Sequence, residues 1–171
     1  MRGWSIFYRS GQFINVLWAR FGREDLTRAR RFLNAPAYAL FLRQAPTERR
    51  HSLKVAALIE NRGPALSADD RRNVLQAALL HDCGKSLFPL RLWQRVLVVC
   101  WQKSPQAVQT RLIRGPKFVS SPLRSAQRHP VWGSRLAHQA GLNDDVCRLI
   151  AEHHQPQTPL GRLLAEADDR C

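Results

Sequence analysis

Apolar residues recur along this chain at intervals of three and four, the spacing of one face of an α-helix. His51, Val55 and Leu58 share such a face, and Thr47 is a suitable N-cap for the helix that carries them. Further on, Val74, Ala78 and His81 form one stripe, and Leu75, Leu79 and Asp82 form the adjacent one. Ser67 caps that helix, Asp69 and Asp70 sit in its first turn where the helix dipole favours negative charge, and Gly84 ends it. Another helix opens at His129-Pro130, because proline suits a first helical turn, and places His129, Trp132, Gly133, Leu136 and Ala140 on one side before Gly141 stops it. Asn143 caps the next, whose inward stripe is Val146, Leu149, Ile150 and His153. Finally Leu160, Leu164 and Asp168 align. No alternating strand pattern, internal repeat or low-complexity tract interrupts this order, so the predicted class is all-α.

Two stretches read differently. Leu90 to Trp101 is apolar nearly all round, which predicts a central buried helix too short to span a bilayer. Residues 104–127 are basic and punctuated by Pro105, Gly115-Pro116 and Ser121-Pro122, which predicts an irregular, mobile loop or lid, with a short helix as an option over Val108 to Ile113. Upstream, residues 12–21 predict a helix with a broad apolar face. It could lie on a membrane surface, or pack on the domain or on a second copy of the chain as a homodimer. Short helices follow over 24–33 and 37–44, broken by Asn34-Ala35-Pro36. Pro46 marks the start of the main domain. The chain therefore divides into a helical N-terminal extension, 1–45, and a helical bundle, 46–171.

The length of 171 residues suits one domain with a short extension. Four scattered cysteines without a Cys-x-x-Cys pair predict reduced thiols in a cytoplasmic protein, and the N-terminus lacks the features of a signal peptide. The net charge of +14 is unevenly spread: no acidic residue lies between Asp82 and Asp144, whereas Lys85, Arg95, Arg124, Arg128 and six other basic residues do. Such a field favours a polyanion, whether nucleotide, nucleic acid or anionic membrane, although a solvated arginine-rich surface would read the same way.

The polar residues on the apolar stripes matter most. Five of the six histidines (His51, His81, His129, His153 and His154) fall on or beside inward faces, as do Asp82 and Asp168; His138 does not. An ionised aspartate is expensive to bury without a partner. Taken singly, each of these residues could be an ordinary hydrogen-bonded core or surface group. Taken together, they point to a metal site assembled from several helices, because imidazole and carboxylate are natural ligands for divalent metal.

The ordered set resembles the HD superfamily of metal-dependent phosphohydrolases. The resemblance rests on His51 in RRHSLKVAALI, His81 and Asp82 in ALLHDCGK, and Asp168 in LLAEADD, and it covers residues 46–171. The segments HPVWGSRLA (His129) and LIAEHHQP (His153, His154) are similar to the branch with extra histidines and two or more metals, which includes cyclic-dinucleotide phosphodiesterases and symmetric diadenosine-polyphosphate hydrolases. The resemblance implies that His51, His81, Asp82 and Asp168 hold one metal, and that Asp82 bridges to a second completed by His129, His153 and His154. It implies one or two divalent ions of iron, manganese, cobalt, nickel or zinc, and hydrolysis of a phosphomonoester or phosphodiester. The substrate would be a nucleotide or related phosphorylated small molecule. Asp82 and Lys85 would be the catalytic pair, with Lys85 also contacting substrate phosphate; alternatively Lys85 caps helix carbonyls. Arg124 and Arg128 are further phosphate-binding candidates. The glycine-tyrosine-proline signature of cyclic di-GMP phosphodiesterases is absent, which argues against that substrate. A non-catalytic nucleotide- or nucleic-acid-binding module of the same fold is the rival reading, and the net charge is its support.

Overall fold

Capping side chains set most of the helix boundaries. A computed structural model of the chain describes residues 26–62 and 66–171, and these form nine α-helices and one 3-10 turn, with no strand. In chain order they are α1 (Thr27–Phe32), α2 (Ala35–Leu42), α3 (Pro46–Arg62), α4 (Ala68–Leu80), the 3-10 turn (Cys83–Leu87), α5 (Leu92–Gln102), α6 (Gln106–Ile113), α7 (Lys117–Gln139), α8 (Asp144–Glu152) and α9 (Pro159–Arg170). The all-α class is as predicted. The helix predicted over 12–21 lies outside the described residues.

The side chains of Ser67 and Asn143 accept from the Asp70 and Val146 amides at 3.1 and 2.9 Å, so both predicted caps hold. Asn34 also caps, accepting from the Ala37 amide at 2.8 Å. It thereby starts α2 at Ala35, two residues earlier than the predicted 37, with Pro36 in the first turn. Thr47 is not a cap: α3 begins at Pro46 and Thr47 lies within its first turn.

α3 and α4 pack side by side, α9 lies against both, and α8 packs on α4 and on α7. α1 and α2 also pack on α4. Phe41, Val55, Leu75, Leu79, Ile150 and Leu164 are fully or almost fully buried in the shared core. Each such side chain contributes about 1.5–3 kcal/mol through removal of apolar surface from water.

Three predictions from the middle of the chain are corrected. α5 is not central: Val98 and Trp101 are its buried residues, while Leu92, Trp93, Val96 and Val99 are exposed. It belongs to a small cap with α6 and the first half of α7, whose core is Val98, Trp101 and Leu123. Residues 104–127 are not an irregular loop. Pro105 and Pro116 immediately precede α6 and α7, where the fixed φ of proline suits a helix start. Nor does a helix open at His129-Pro130, because α7 runs through Pro122 and Pro130 without a break.

Gly84 is corrected too. α4 stops at Leu80, and Gly84 sits inside the 3-10 turn, pressed on the backbone of α7. A Cβ there would collide with the His129 carbonyl oxygen and stand 2.7 Å from the Gly133 nitrogen. Gly133 meets the turn from the other side, so the two glycines let α7 approach the segment that carries His81 and Asp82.

Candidate metal centre and substrate cavity

Three of the histidines are oriented by helix carbonyls that lack an amide partner. His81 Nδ1 lies 2.9 Å from Ala78 O and His153 Nδ1 lies 2.7 Å from Ile150 O. Both carbonyls belong to the last turn of their helices, α4 and α8, where no following helical amide is available. His129 Nδ1 lies 2.9 Å from Ala126 O. That carbonyl sits four residues before Pro130, which has no N–H to give it. A carbonyl can only accept, so each Nδ1 carries a proton, and the tautomer this selects for the neutral ring would turn its Nε2 lone pair to the interior. The Nε2 atoms of His81 and His153 are buried with no hydrogen-bond partner. A buried lone pair left unmet is costly, and a cation would meet it.

The inward-facing atoms form two groups of three. In one, His51 Nε2 lies 2.6 Å from Asp168 Oδ1, and His81 Nε2 lies 3.5 Å from the same oxygen. In the other, His154 Nε2 lies 3.2 Å from His129 Nε2, with the His153 ring 4.0 Å from that of His154 between centroids. Within each group the ligand atoms are all within 4.8 Å of one another. Asp82 stands between the groups: Oδ2 is 3.5 Å from His81 Nε2, whereas Oδ1 is 3.3 Å from His129 Nε2 and 3.9 Å from His153 Nε2. The donor set, imidazole plus carboxylate with unmet buried lone pairs, fits divalent transition metal.

The electrostatics point the same way. Burial by itself would lower His81, but Asp82 and Asp168 outweigh it and raise the ring to about 9. Burial by itself would raise Asp82 and Asp168, yet both are held far below the usual carboxylate range. Lys85, His81 and His129 do this for Asp82; the hydrogen bond with His51 and the nearby charge of His81 do it for Asp168. Burial, helped by neighbouring imidazoles, drives His153 well below its ordinary value and His154 down to about 4. The site thus favours a cation among ionised carboxylates and keeps two histidines neutral, as metal ligation requires.

The family model for the HD domain matches residues 49–170. The chain belongs to the HD-domain family. Neither a curated protein nor a solved structure matches it. Metal-dependent phosphohydrolases are the superfamily to which this HD domain ties the chain.

The HD-domain centre forms the floor of a cavity of about 520 Å³. His51, Asp82, His129, His154 and Asp168 reach its surface, and Phe88, Leu90, Val98 and Val99 give it an apolar side. Its cations are Arg43, Lys85 and Arg95. Lys85 does not cap helix carbonyls: its Nζ lies 2.6 Å from Asp82 Oδ2 and 3.6 Å from Glu48 Oε2. Leaving water would lower the Lys85 pKa, but Asp82 and Glu48 override that and raise it. Arg124 and Arg128 are exposed and outside the cavity lining, and Arg124 donates to Ile113 O at 3.2 Å. Glu48 and Arg43 escaped the sequence reading, and Arg95 entered it only as one of the ten basic residues, with no role at the site. Glu48 had a signal, since it lies three residues before His51 and so shares its face of α3. Arg95 had none, because only the fold brings α5 over the cavity.

Proposed function

We propose that this HD domain is a metal-dependent phosphohydrolase acting on a nucleotide or a related phosphorylated small molecule. One observation carries the reading: two groups of three metal-competent side chains meet on one buried carboxylate at the floor of a cavity edged by cations. His51, His81 and Asp168 would hold one divalent ion, His129, His153 and His154 a second, and Asp82 would touch both. Such ions, when bound, activate water and offset charge that develops on phosphoryl oxygens. The chain's own residues do the rest. The three carbonyl-anchored histidines keep their rings aimed without reorganisation. Lys85 neutralises Asp82 and offers its ammonium to a phosphate beside it. The apolar side of the cavity sheds water and takes the organic part of the substrate, and the volume is that of a small-molecule site. In this reading residues 46–171 are the catalytic domain and residues 1–45 its extension. Four cysteines without a disulfide suit a reducing, cytoplasmic setting. No helix among the described residues is long and apolar enough to cross a membrane.

The test is a panel of nucleotides and simple phosphoesters offered to protein purified without chelator, with metal measured by elemental analysis. Metal-dependent phosphate release is the expected result. Absence of metal together with no thermal shift on adding Mn²⁺, Fe²⁺ or Zn²⁺ would refute the reading. The acid-free segment from Cys83 to Asn143 favours a second reading, a polynucleotide binder. Its signature is steeply salt-dependent binding without turnover.

A further inference from the structure

A run of alternating charges leads from the metal centre to the cap. Lys85 Nζ lies 2.6 Å from Asp82 Oδ2 and 3.6 Å from Glu48 Oε2, and Arg95 Nη1 lies 2.8 Å from Glu48 Oε1. All four residues line the same cavity. Glu48 projects from α3 one turn before His51, and Arg95 comes from α5, which otherwise packs only on α6 and α7 among the stronger helix contacts. The Glu48 side chain is 11% exposed, while those of Lys85 and Arg95 are 40% and 38% exposed.

We infer that Arg95 and Lys85 form a two-cation seat for a substrate phosphate next to the metal centre, with Glu48 as the positioning residue that holds them side by side. The inference rests on the phosphohydrolase reading and names the groups that recognise the substrate. Lys85 and Arg95 against Asp82 and Glu48 sum to zero, so the net positive charge that would face a phosphate comes with the divalent metal that Asp82 would hold. Arg95 donates from Nε to Leu90 O at 3.4 Å and from Nη1 to Glu48, which leaves other guanidinium N–H groups for a ligand. Long, part-exposed lysine and arginine side chains lose rotamer freedom when they grip an anion. A buried glutamate that already restrains both removes much of that cost before the phosphate arrives. It also sets the distance between the cations, which unrestrained surface charges do not have.

Inorganic phosphate is the probe, titrated calorimetrically into full-length, Mn²⁺-loaded protein. Arg95→Gln should weaken phosphate binding about tenfold, the loss of one charge-assisted contact, with Arg95→Lys restoring part of it. The decisive variant is Glu48→Gln, because the two explanations differ in sign. Removing a negative charge beside a cation pair strengthens anion binding if the field alone matters, and leaves it unchanged if Glu48 only pins the cap to the bundle. A positioned seat requires weaker binding, together with a rise in KM that exceeds the fall in kcat. Manganese content and far-UV circular dichroism should match wild type, as should phosphate affinity in Arg148→Ala, whose side chain pairs with Asp145 outside the cavity. If Glu48→Gln does not fold, Glu48→Asp carries the same comparison, since its shorter reach breaks the alignment while keeping the charge. Tighter or unchanged phosphate binding in the Glu48 variants, or wild-type affinity in Arg95→Gln, overturns the inference while leaving hydrolysis by the wild type standing. A wild type that binds Mn²⁺ but neither binds phosphate nor hydrolyses any ester removes both readings.

Discussion

The bundle and the cap of this HD domain are held together on different terms. In the bundle, Leu75, Leu79, Leu80, Ile150 and Leu164 are almost wholly buried, and six of the seven proposed metal ligands stand on or just after α3, α4, α8 and α9. In the cap, Val98, Trp101 and Leu123 make the entire buried apolar cluster, and half of α5 faces outward with Leu92, Trp93, Val96 and Val99. His129 is the remaining ligand, and it sits on α7, the helix that both regions share. The difference suits their tasks. Metal ligands must be held to within a fraction of an ångström, which takes dense packing and anchored rings. A surface that admits a substrate is drawn from the less stable end of a structure. In the proposed reading, metal binding and stability belong to the bundle, and recognition belongs to the cap and the residues it overhangs.

The largest effect expected is that of Asp82→Asn, which removes the carboxylate common to both ligand groups. Phosphoester hydrolysis should fall by about a thousandfold or more, since metal catalysis supplies several kcal/mol, while circular dichroism remains helical. Activity within about tenfold of wild type would deny Asp82 its place between two ions.

Next come paired truncations of the two cores. Leu79→Ala in the bundle should cost about 2–5 kcal/mol of global stability in urea melts and weaken metal retention with it. Trp101→Ala should act locally, because its indole Nε1 donates to Gln109 O at 3.1 Å within the cap itself. Amide hydrogen exchange should speed up over α5 and α6 while metal affinity stays near wild type. Loss of metal in both variants would mean that the two regions are one cooperative unit and that the comparison is wrong.

Lys85→Ala sits on the boundary between the regions. It should lower kcat/KM about tenfold to a hundredfold, equivalent to a charge-assisted contact of about 1.5–3 kcal/mol, and keep the metal. A defect that vanished in moderate salt would point to diffuse surface charge instead, because such charge is screened beyond about 8–10 Å near physiological ionic strength.

The smallest effect concerns pH in the metal-free protein. His154 is depressed from 6.5 to about 4, so the unfolded chain takes up its proton first as pH falls. Its contribution is complete above 6.5 and is lost between 6.5 and 4. His81 is raised to about 9, and its contribution runs the other way: complete below 6.5 and lost as pH rises through 9. His154→Ala should flatten the acid-side decline in the unfolding free energy from urea melts by about 1 kcal/mol or less, since solvent screens this exposed ring. An unchanged decline would assign it to His153 or the carboxylates.

The sequence by itself determined the all-α class, the Ser67 and Asn143 caps, the inward stripes that end in His81, Asp82, His153 and Asp168, and hence most of the candidate ligands. Those features are local: they depend on helical period, capping chemistry and the cost of burying a polar group on an apolar face. Three things were decided only by the tertiary structure. The apolar pattern of Leu90 to Trp101 does not say whether a helix is wrapped on all sides or lies on a thin cap, because periodicity records the helix and not its neighbours. Pro122 and Pro130 look like breaks, yet α7 continues through them where packing on the 3-10 turn and α8 outweighs the lost hydrogen bonds, and the carbonyl freed by Pro130 is the one that orients His129. The proposed anion seat joins residues 47 positions apart, Glu48 and Arg95, through a side-chain contact that exists only once α5 lies over the start of α3. Charge along a chain has no direction until the fold supplies one, which is why, of ten basic residues counted in advance, Lys85 stood out by its place just after His81-Asp82 whereas Arg95, which also edges the cavity, could not be told from the rest.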